Sequence, residues 1–242
     1  MIRRRLTSYL SISVGPSVYN YWNHIEDNRN KILSTPSLVG LDSVNVFQTK
    51  VYGGGKLQIL LNNLNSEILP TRGIHWLTQF SSLGGLNKNS KSFTALTSDM
   101  TVYSSLSDPA GLVSILRLGG GHIFNNQYEY FQALNLGQNN FLRGFRKNRF
   151  AGKSLAYGSL TLLIKLFDSK SYILPGSVGI IAFDDVGRVW ASDQSSNKWH
   201  NAVGGGLYFS PFNMFIISAA MGFSDEEKLF NLSLGTKFNL TF

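Results

Sequence analysis

From residue 230 to the C-terminus, Phe230, Leu232, Leu234, Thr236, Phe238, Leu240 and Phe242 share one parity, while Asn231, Ser233, Gly235, Lys237, Asn239 and Thr241 share the other. A period of two places the two sets on opposite faces of a strand, a separation no helix produces. One face is rich in aromatics and ends on Phe242, and its reverse is polar or Gly. That is the pattern of a strand with lipid on one side and a wet interior on the other.

The same pattern recurs upstream. In residues 5 to 18, Leu6, Leu10, Ile12, Val14 and Val18 alternate with Arg5, Thr7, Tyr9, Ser11, Ser13, Gly15 and Ser17. In 156 to 167, Ala156, Leu160, Leu162, Ile164 and Leu166 alternate with Tyr157, Ser159, Thr161 and Lys165, and Leu163 is the apolar exception on the polar side. Less regular segments at 46–62, 71–83, 92–106, 111–124, 176–190, 198–210 and 213–223 bring the total to about ten strands of membrane-spanning length. Helical periodicity is nowhere sustained. Long polar connections (21–43, 84–91, 125–152) roughly alternate with short turns such as Ser210-Pro211-Phe212-Asn213 and Asp108-Pro109-Ala110-Gly111, as when the two ends of a barrel face different compartments.

Composition supports strands in a bilayer. Only 15% of the residues are charged, against 43% hydrophobic and 13% aromatic, well under the roughly 25% charge of a soluble domain. No apolar run approaches the roughly 18 residues of a transmembrane helix, so a membrane reading requires strands. The expectation is an all-β, transmembrane, antiparallel β-barrel that occupies residues 1–242 as one domain. The chain has no Cys, which excludes a disulfide scaffold and a thiolate zinc site. The basic start Met1-Ile2-Arg3-Arg4-Arg5 is followed by alternation instead of a continuous apolar stretch, so it reads as the approach to a strand and not as the head of an export signal.

The formal charge of +8 is scattered, and its densest cluster is Arg143, Arg146, Lys147 and Arg149. No nucleic-acid-binding motif accompanies it, and no nucleic-acid partner is expected. The four His, at 24, 75, 122 and 200, have no metal-ligand spacing. There is no nucleophile elbow, dinucleotide fingerprint or phosphate loop. No catalytic residue, metal or cofactor is therefore expected. Gly53–Gly55, Gly119–Gly121 and Gly204–Gly206 interrupt strand-like runs; they relieve curvature, or they keep a wall bare so that another segment can lie against it. The acidic run Asp225-Glu226-Glu227 reads as a solvated turn.

Asp185 shares parity with Phe183 and Gly187, opposite Val178, Ile180, Ala182 and Val186. A carboxylate turned inward wants a cationic partner. The segment 125–152 offers one in Leu142-Arg143-Gly144-Phe145, after Gly137-Gln138-Asn139-Asn140. Arg presents a planar fork that grips a carboxylate bidentately. Asp184, on the lipid-side parity, has no partner evident in the sequence.

This stretch resembles the infolded loop tip of the BamA-type outer-membrane assembly family, also called the bacterial surface antigen family. In that family an Arg-Gly-Phe tip meets the Asp of an F-x-D-x-G strand, matched here by Phe183, Asp185 and Gly187. The likeness covers residues 125–242, with Leu174-Pro175-Gly176, Gly187-Arg188-Val189-Trp190 and Gly204-Gly205-Gly206-Leu207-Tyr208-Phe209-Ser210-Pro211. It implies that 125–152 folds into the barrel, that Arg143, Gly144 and Phe145 latch onto Phe183, Asp185 and Gly187, and that Phe238, Leu240 and Phe242 form a C-terminal strand signal. Two departures stand out. Thr161 and Leu163 occupy positions where the family carries an acidic residue and an Arg, which implies a weaker latch. The family barrel has sixteen strands preceded by periplasmic POTRA domains, so the chain looks like the C-terminal part of such a barrel without POTRA domains.

The resemblance implies a non-enzymatic barrel for outer-membrane protein assembly, insertion or translocation in the outer membrane of Gram-negative bacteria. Its implied partners are outer-membrane lipid, unfolded outer-membrane protein clients and assembly lipoproteins. Two other readings stay open: a membrane anchor or export barrel for a fused phosphoesterase or patatin-like hydrolase, and a truncated remnant.

Overall fold

The computed structural model describes residues 1–29, 45–67, 69–107, 110–138, 141–191 and 198–235. Thirteen strands form in chain order: β1 (Ile2–Arg5), β2 (Leu10–Tyr21), β3 (Lys50–Leu64), β4 (Gly73–Gly85), β5 (Phe93–Ser105), β6 (Leu112–Ile123), β7 (Leu134–Leu136), β8 (Phe150–Gly152), β9 (Ser154–Ser169), β10 (Gly176–Trp190), β11 (His200–Pro211), β12 (Ile216–Ser224) and β13 (Lys228–Gly235). Eleven of them make one antiparallel meander in which β6 pairs directly with β9, and β7 and β8 form a separate two-stranded hairpin. β1 and β13 are the two edges of the large sheet.

The expected count of about ten strands needs correction at two places. The stretch 5–18 is not one strand, because residues 6–9 turn the chain between β1 and β2. The Thr7 hydroxyl accepts hydrogen bonds from the backbone N–H groups of Tyr9 and Leu10, a local turn that competes with the ladder. The β7–β8 hairpin has only three residues per strand, too few for periodicity to reveal. Phe238, Leu240 and Phe242 lie outside the described residues, and β13 ends at Gly235.

The expected parities separate two faces. Leu57, Ile59, Trp76, Phe80, Leu116, Leu118, Leu160, Ile164, Leu207, Ile217, Phe230, Leu232 and Leu234 are all exposed, and they form the apolar band that a bilayer would cover. Asp184 stands on this face. There it accepts a hydrogen bond of 2.7 Å from Asn201 Nδ2 across the strand pair.

The opposite, inner face is drier than the sequence suggests. Tyr103, Val113, Ile115, Leu163, Ile181, Phe183, Tyr208, Ile216 and Ala220 pack into one buried cluster. Leu163, the apolar exception in its strand, is thereby accounted for, since it is 2% exposed within that cluster.

The connections sort by end. At one end every turn is short (6–9, 65–72, 106–111, 170–175 and 212–215), whereas the other carries 22–49 and 124–153. Trp190 and Trp199 meet edge to face at the long-loop end, with centroids 6.2 Å apart, in the position of an interfacial aromatic girdle.

Candidate functional site

The connection between β6 and β9 does not leave the sheet. It carries a short 3-10 turn, Tyr130–Gln132, followed by the β7–β8 hairpin, and its residues pack on the inner face. Glu129 opens the turn, with its backbone N–H donating to Gln132 Oε1 at 2.9 Å, the arrangement of a capping box. Leu136, Leu142, Phe145, Tyr157 and Ala202 then form a second buried cluster, in which Leu136, Leu142, Phe145 and Ala202 are fully buried. Phe145 meets Phe150 and His200 edge to face.

Between the two clusters sits the charged centre. Arg143 Nε donates to Asp185 Oδ2 at 2.8 Å and an Arg143 Nη2 to Asp185 Oδ1 at 2.6 Å, the fork geometry of a bidentate pair. The Arg143 backbone N–H donates to Asp185 Oδ2 as well, at 3.0 Å. Asp185 is 0% and Arg143 7% exposed, so water screens the pair little. The guanidinium also lies over the Phe183 ring, 3.7 Å from its centroid, a cation–π contact strengthened by desolvation.

The Thr161 hydroxyl accepts from the guanidinium at 2.9 Å. Ser159 accepts from the guanidinium at 3.1 Å and donates to Asp185 Oδ1 at 2.7 Å. Two hydroxyls, and no second carboxylate, thus face the guanidinium among the described residues. They leave one carboxylate facing one guanidinium and surround its Nη2 with polar oxygens beside Asp185.

The glycines of the site are there for space. A Cβ on Gly144 would lie 2.8 Å from Ala202 Cβ, and one on Gly187 would lie 2.9 Å from Leu136 Cδ1. Gly144 thereby allows close approach to β11 and β12. A Cβ on Gly222 would come within 2.6 Å of the Arg143 carbonyl oxygen. The triplets divide in the same way. Gly121 faces Leu134 of the hairpin, Gly119 the Tyr157 ring and Gly204 the Phe183 ring, so these walls are bare because something lies on them.

Several contributors were not visible in the sequence. Lys50 Nζ, 1% exposed, pairs with Glu129 at 2.6 Å and ties the start of the loop to β3. Tyr21 stacks on Phe131, with centroids 3.9 Å apart. Asp99 accepts from Arg117 at 2.8 and 2.9 Å and from the Tyr157 hydroxyl. Phe141 stacks on Tyr157 and lies under the Arg117 guanidinium. Its φ of 73° is rare for a bulky side chain, so these contacts hold a strained backbone.

The run Asp225-Glu226-Glu227 is a turn, as expected, but one engaged with the loop. Arg149 pairs with Glu226 and Arg146 with Glu227, both at 2.7 Å. Asp225 accepts from Lys198, which holds the Asp225 carboxyl below its ordinary value and the Lys198 ammonium above its own. The Asn231 amide donates to the Arg143 carbonyl at 3.1 Å and its side-chain oxygen accepts from Gln138 at 2.7 Å, so β13 also touches the tip. Arg146 and Arg149 are exposed, and exposed pairs contribute little. Arg146→Ala and Arg149→Ala are each expected to change stability by no more than about 0.5 kcal/mol. Urea unfolding in detergent checks this; a loss several times larger would move the anchor from the buried pair to the rim.

A family model described as the Omp85 superfamily domain matches residues 2–238. Among solved structures, the chain is similar to BamA from Haemophilus ducreyi lacking POTRA domains 1–3, with a TM-score of 0.69 at 15% identity. That likeness covers 96% of this chain and 52% of the other, so the chain spans about half its length. None of the curated proteins compared matches the chain. With a family model matched over nearly its whole length and the fold of a BamA barrel, the chain belongs to the Omp85 superfamily and is a β-barrel chain of the bacterial outer membrane.

Proposed function

We propose that this chain is barrel wall from a BamA-type machine that inserts or translocates other outer-membrane proteins, without covalent catalysis. The observation that carries the reading is the β6–β9 loop, whose tip is held inside the sheet by Arg143 and Asp185. With the loop and the apolar cluster filling the inner face, a client has more to gain at a sheet edge, where its backbone finds hydrogen-bond partners and its apolar face finds lipid. Arg143 and Asp185 serve as the latch that keeps the filling in place. Gly144 and Gly187 let it seat, and Phe145 and Phe183 pack around it. The partners are outer-membrane lipid, unfolded clients and assembly lipoproteins.

Depletion of the full-length protein, followed by quantitative measurement of all outer-membrane proteins, tests this. The expected result is a several-fold fall in many unrelated barrels. Unchanged levels would remove the assembly role, and selective loss of one cell-surface hydrolase would point to an anchoring barrel instead.

A further inference from the structure

Among the described residues, three cations of inward parity have a carboxylate each, Lys50 with Glu129, Arg117 with Asp99 and Lys165 with Asp168, and Arg143 of the infolded loop has Asp185. Lys56 is different. It shares the parity of Tyr52 and Gln58 on β3, is half-buried, and its ammonium donates to the Tyr19 hydroxyl and lies over that ring. No carboxylate pairs with it among the described residues. It borders a cavity of about 350 Å³ between the inner face of β2–β5 and the infolded loop, within the size range of small-ligand sites.

The polar lining of this cavity is rich in donors. The Gln79 carbonyl is taken by Gln58 and the Gln132 carbonyl by the Glu129 backbone, which leaves both amide nitrogens as donors. The Tyr52 hydroxyl is buried beside the Ser90 and Gln132 side chains, and among the described residues no acceptor stands at good hydrogen-bond geometry to it. No Asp or Glu is among the described residues that line the space. Phe93, Phe131 and Leu134 supply flat apolar surface beside these groups. A half-buried cation beside surplus donors, with no carboxylate in the lining, leaves the charge of the site unmatched. One ammonium balances the single negative charge of a carboxylate, whereas a phosphate monoester at neutral pH carries nearly two.

We infer that this cavity binds an aromatic monocarboxylate, its carboxylate on Lys56 and its ring against Phe93 and Phe131. The site is formed by β2–β5 and the Phe131–Leu134 part of the infolded loop and uses none of the latch residues, so its ligand binding is read independently of the assembly role.

Isothermal titration of the full-length protein in non-ionic detergent, with 3-phenylpropionate and its amide as probes, tests it. The acid is expected to bind and the amide to bind at least tenfold more weakly. Lys56→Gln, which keeps a donor for Tyr19 but removes the charge, is expected to weaken acid binding at least tenfold. Lys56→Arg is expected to retain it. Phe93→Leu, which leaves the charge in place, is expected to weaken acid and amide alike and serves if Lys56→Gln does not fold. A peptide ending in Phe with a free carboxylate separates two sources of the same chemistry: tighter binding than the small acid assigns the site to chain ends, and equal binding assigns it to free acids. Absence of acid binding, equal binding of acid and amide, or a folded Lys56→Gln protein that binds the acid as before would overturn the inference.

Discussion

Asp185→Ala is expected to destabilise the barrel by about 3 kcal/mol, because it strands a guanidinium that is 7% exposed. The variant loses both arms of the fork and the acceptor of the Arg143 backbone N–H, while Ser159, Thr161 and the Phe183 ring remain. Neutral hydroxyls do not replace a carboxylate opposite a desolvated charge. Arg143→Ala is expected to cost a comparable amount, since it leaves the fully buried Asp185 carboxylate with two neutral donors, the Ser159 hydroxyl and the backbone N–H of residue 143, and no cation. For a chain of this length about 3 kcal/mol corresponds to a fall of roughly 6–12 °C in the unfolding midpoint. The heat-induced change in electrophoretic mobility reads that shift. The double variant should be scarcely worse than either single one, because removing both partners removes the unpaired charge. Fully additive losses would mean that the two residues act independently.

Gly222→Ala should produce the second large effect by a different route. The new methyl would meet the Arg143 carbonyl at 2.6 Å and the Gly144 nitrogen at 3.0 Å. Both are backbone atoms of the loop tip, so no side chain can swing away. Overpacking of this kind costs about 1–3 kcal/mol, and here the lowest-cost relief is to lift the tip off β12. The chain contains no Cys, so a single reporter Leu142→Cys reads the displacement without background. Leu142 is fully buried, and maleimide labelling of that Cys is expected to be slow in the parent and at least tenfold faster with Gly222→Ala. Gly55→Ala is the control, since its nearest contact would be 3.7 Å, an ordinary van der Waals distance. Equal acceleration by both substitutions would mean that the tip does not rest on Gly222.

What could be read in advance follows from how local each signal is. Period-two alternation is a property of a few neighbouring residues, so the faces of β9 and β13 and the inward aim of Asp185 were visible in the sequence. β1 was not, because its Arg3-Arg4-Arg5 run has no apolar alternation and it exists through pairing with β2. Parity names a face and leaves the partner open. Lys50 meets Glu129, and Arg149 meets Glu226, only after the sheet has brought distant strands together. The Ser159 and Thr161 hydroxyls were hidden for a related reason: either residue on the inner face of a strand looks like ordinary polar wall until an arginine lies above it. Arg143 and Asp185 were the exception, because both sit inside motifs that can be matched in order. Phe141 had no such flag, since its positive φ and its packing between the Tyr157 and Arg117 surfaces exist only in the folded loop.

The infolded tip itself can be tested in the membrane. A Cβ on Gly144 lies 2.8 Å from Ala202 Cβ, and a displacement of about 1 Å brings the two into the 3.5–4.5 Å range of a disulfide. A Gly144→Cys/Ala202→Cys protein, oxidised in intact cells, should form an intramolecular disulfide that changes its mobility on non-reducing gels and is reversed by reductant. Failure to cross-link, together with rapid labelling of Gly144→Cys by a membrane-impermeant maleimide, would place the tip outside the barrel and contradict the latch.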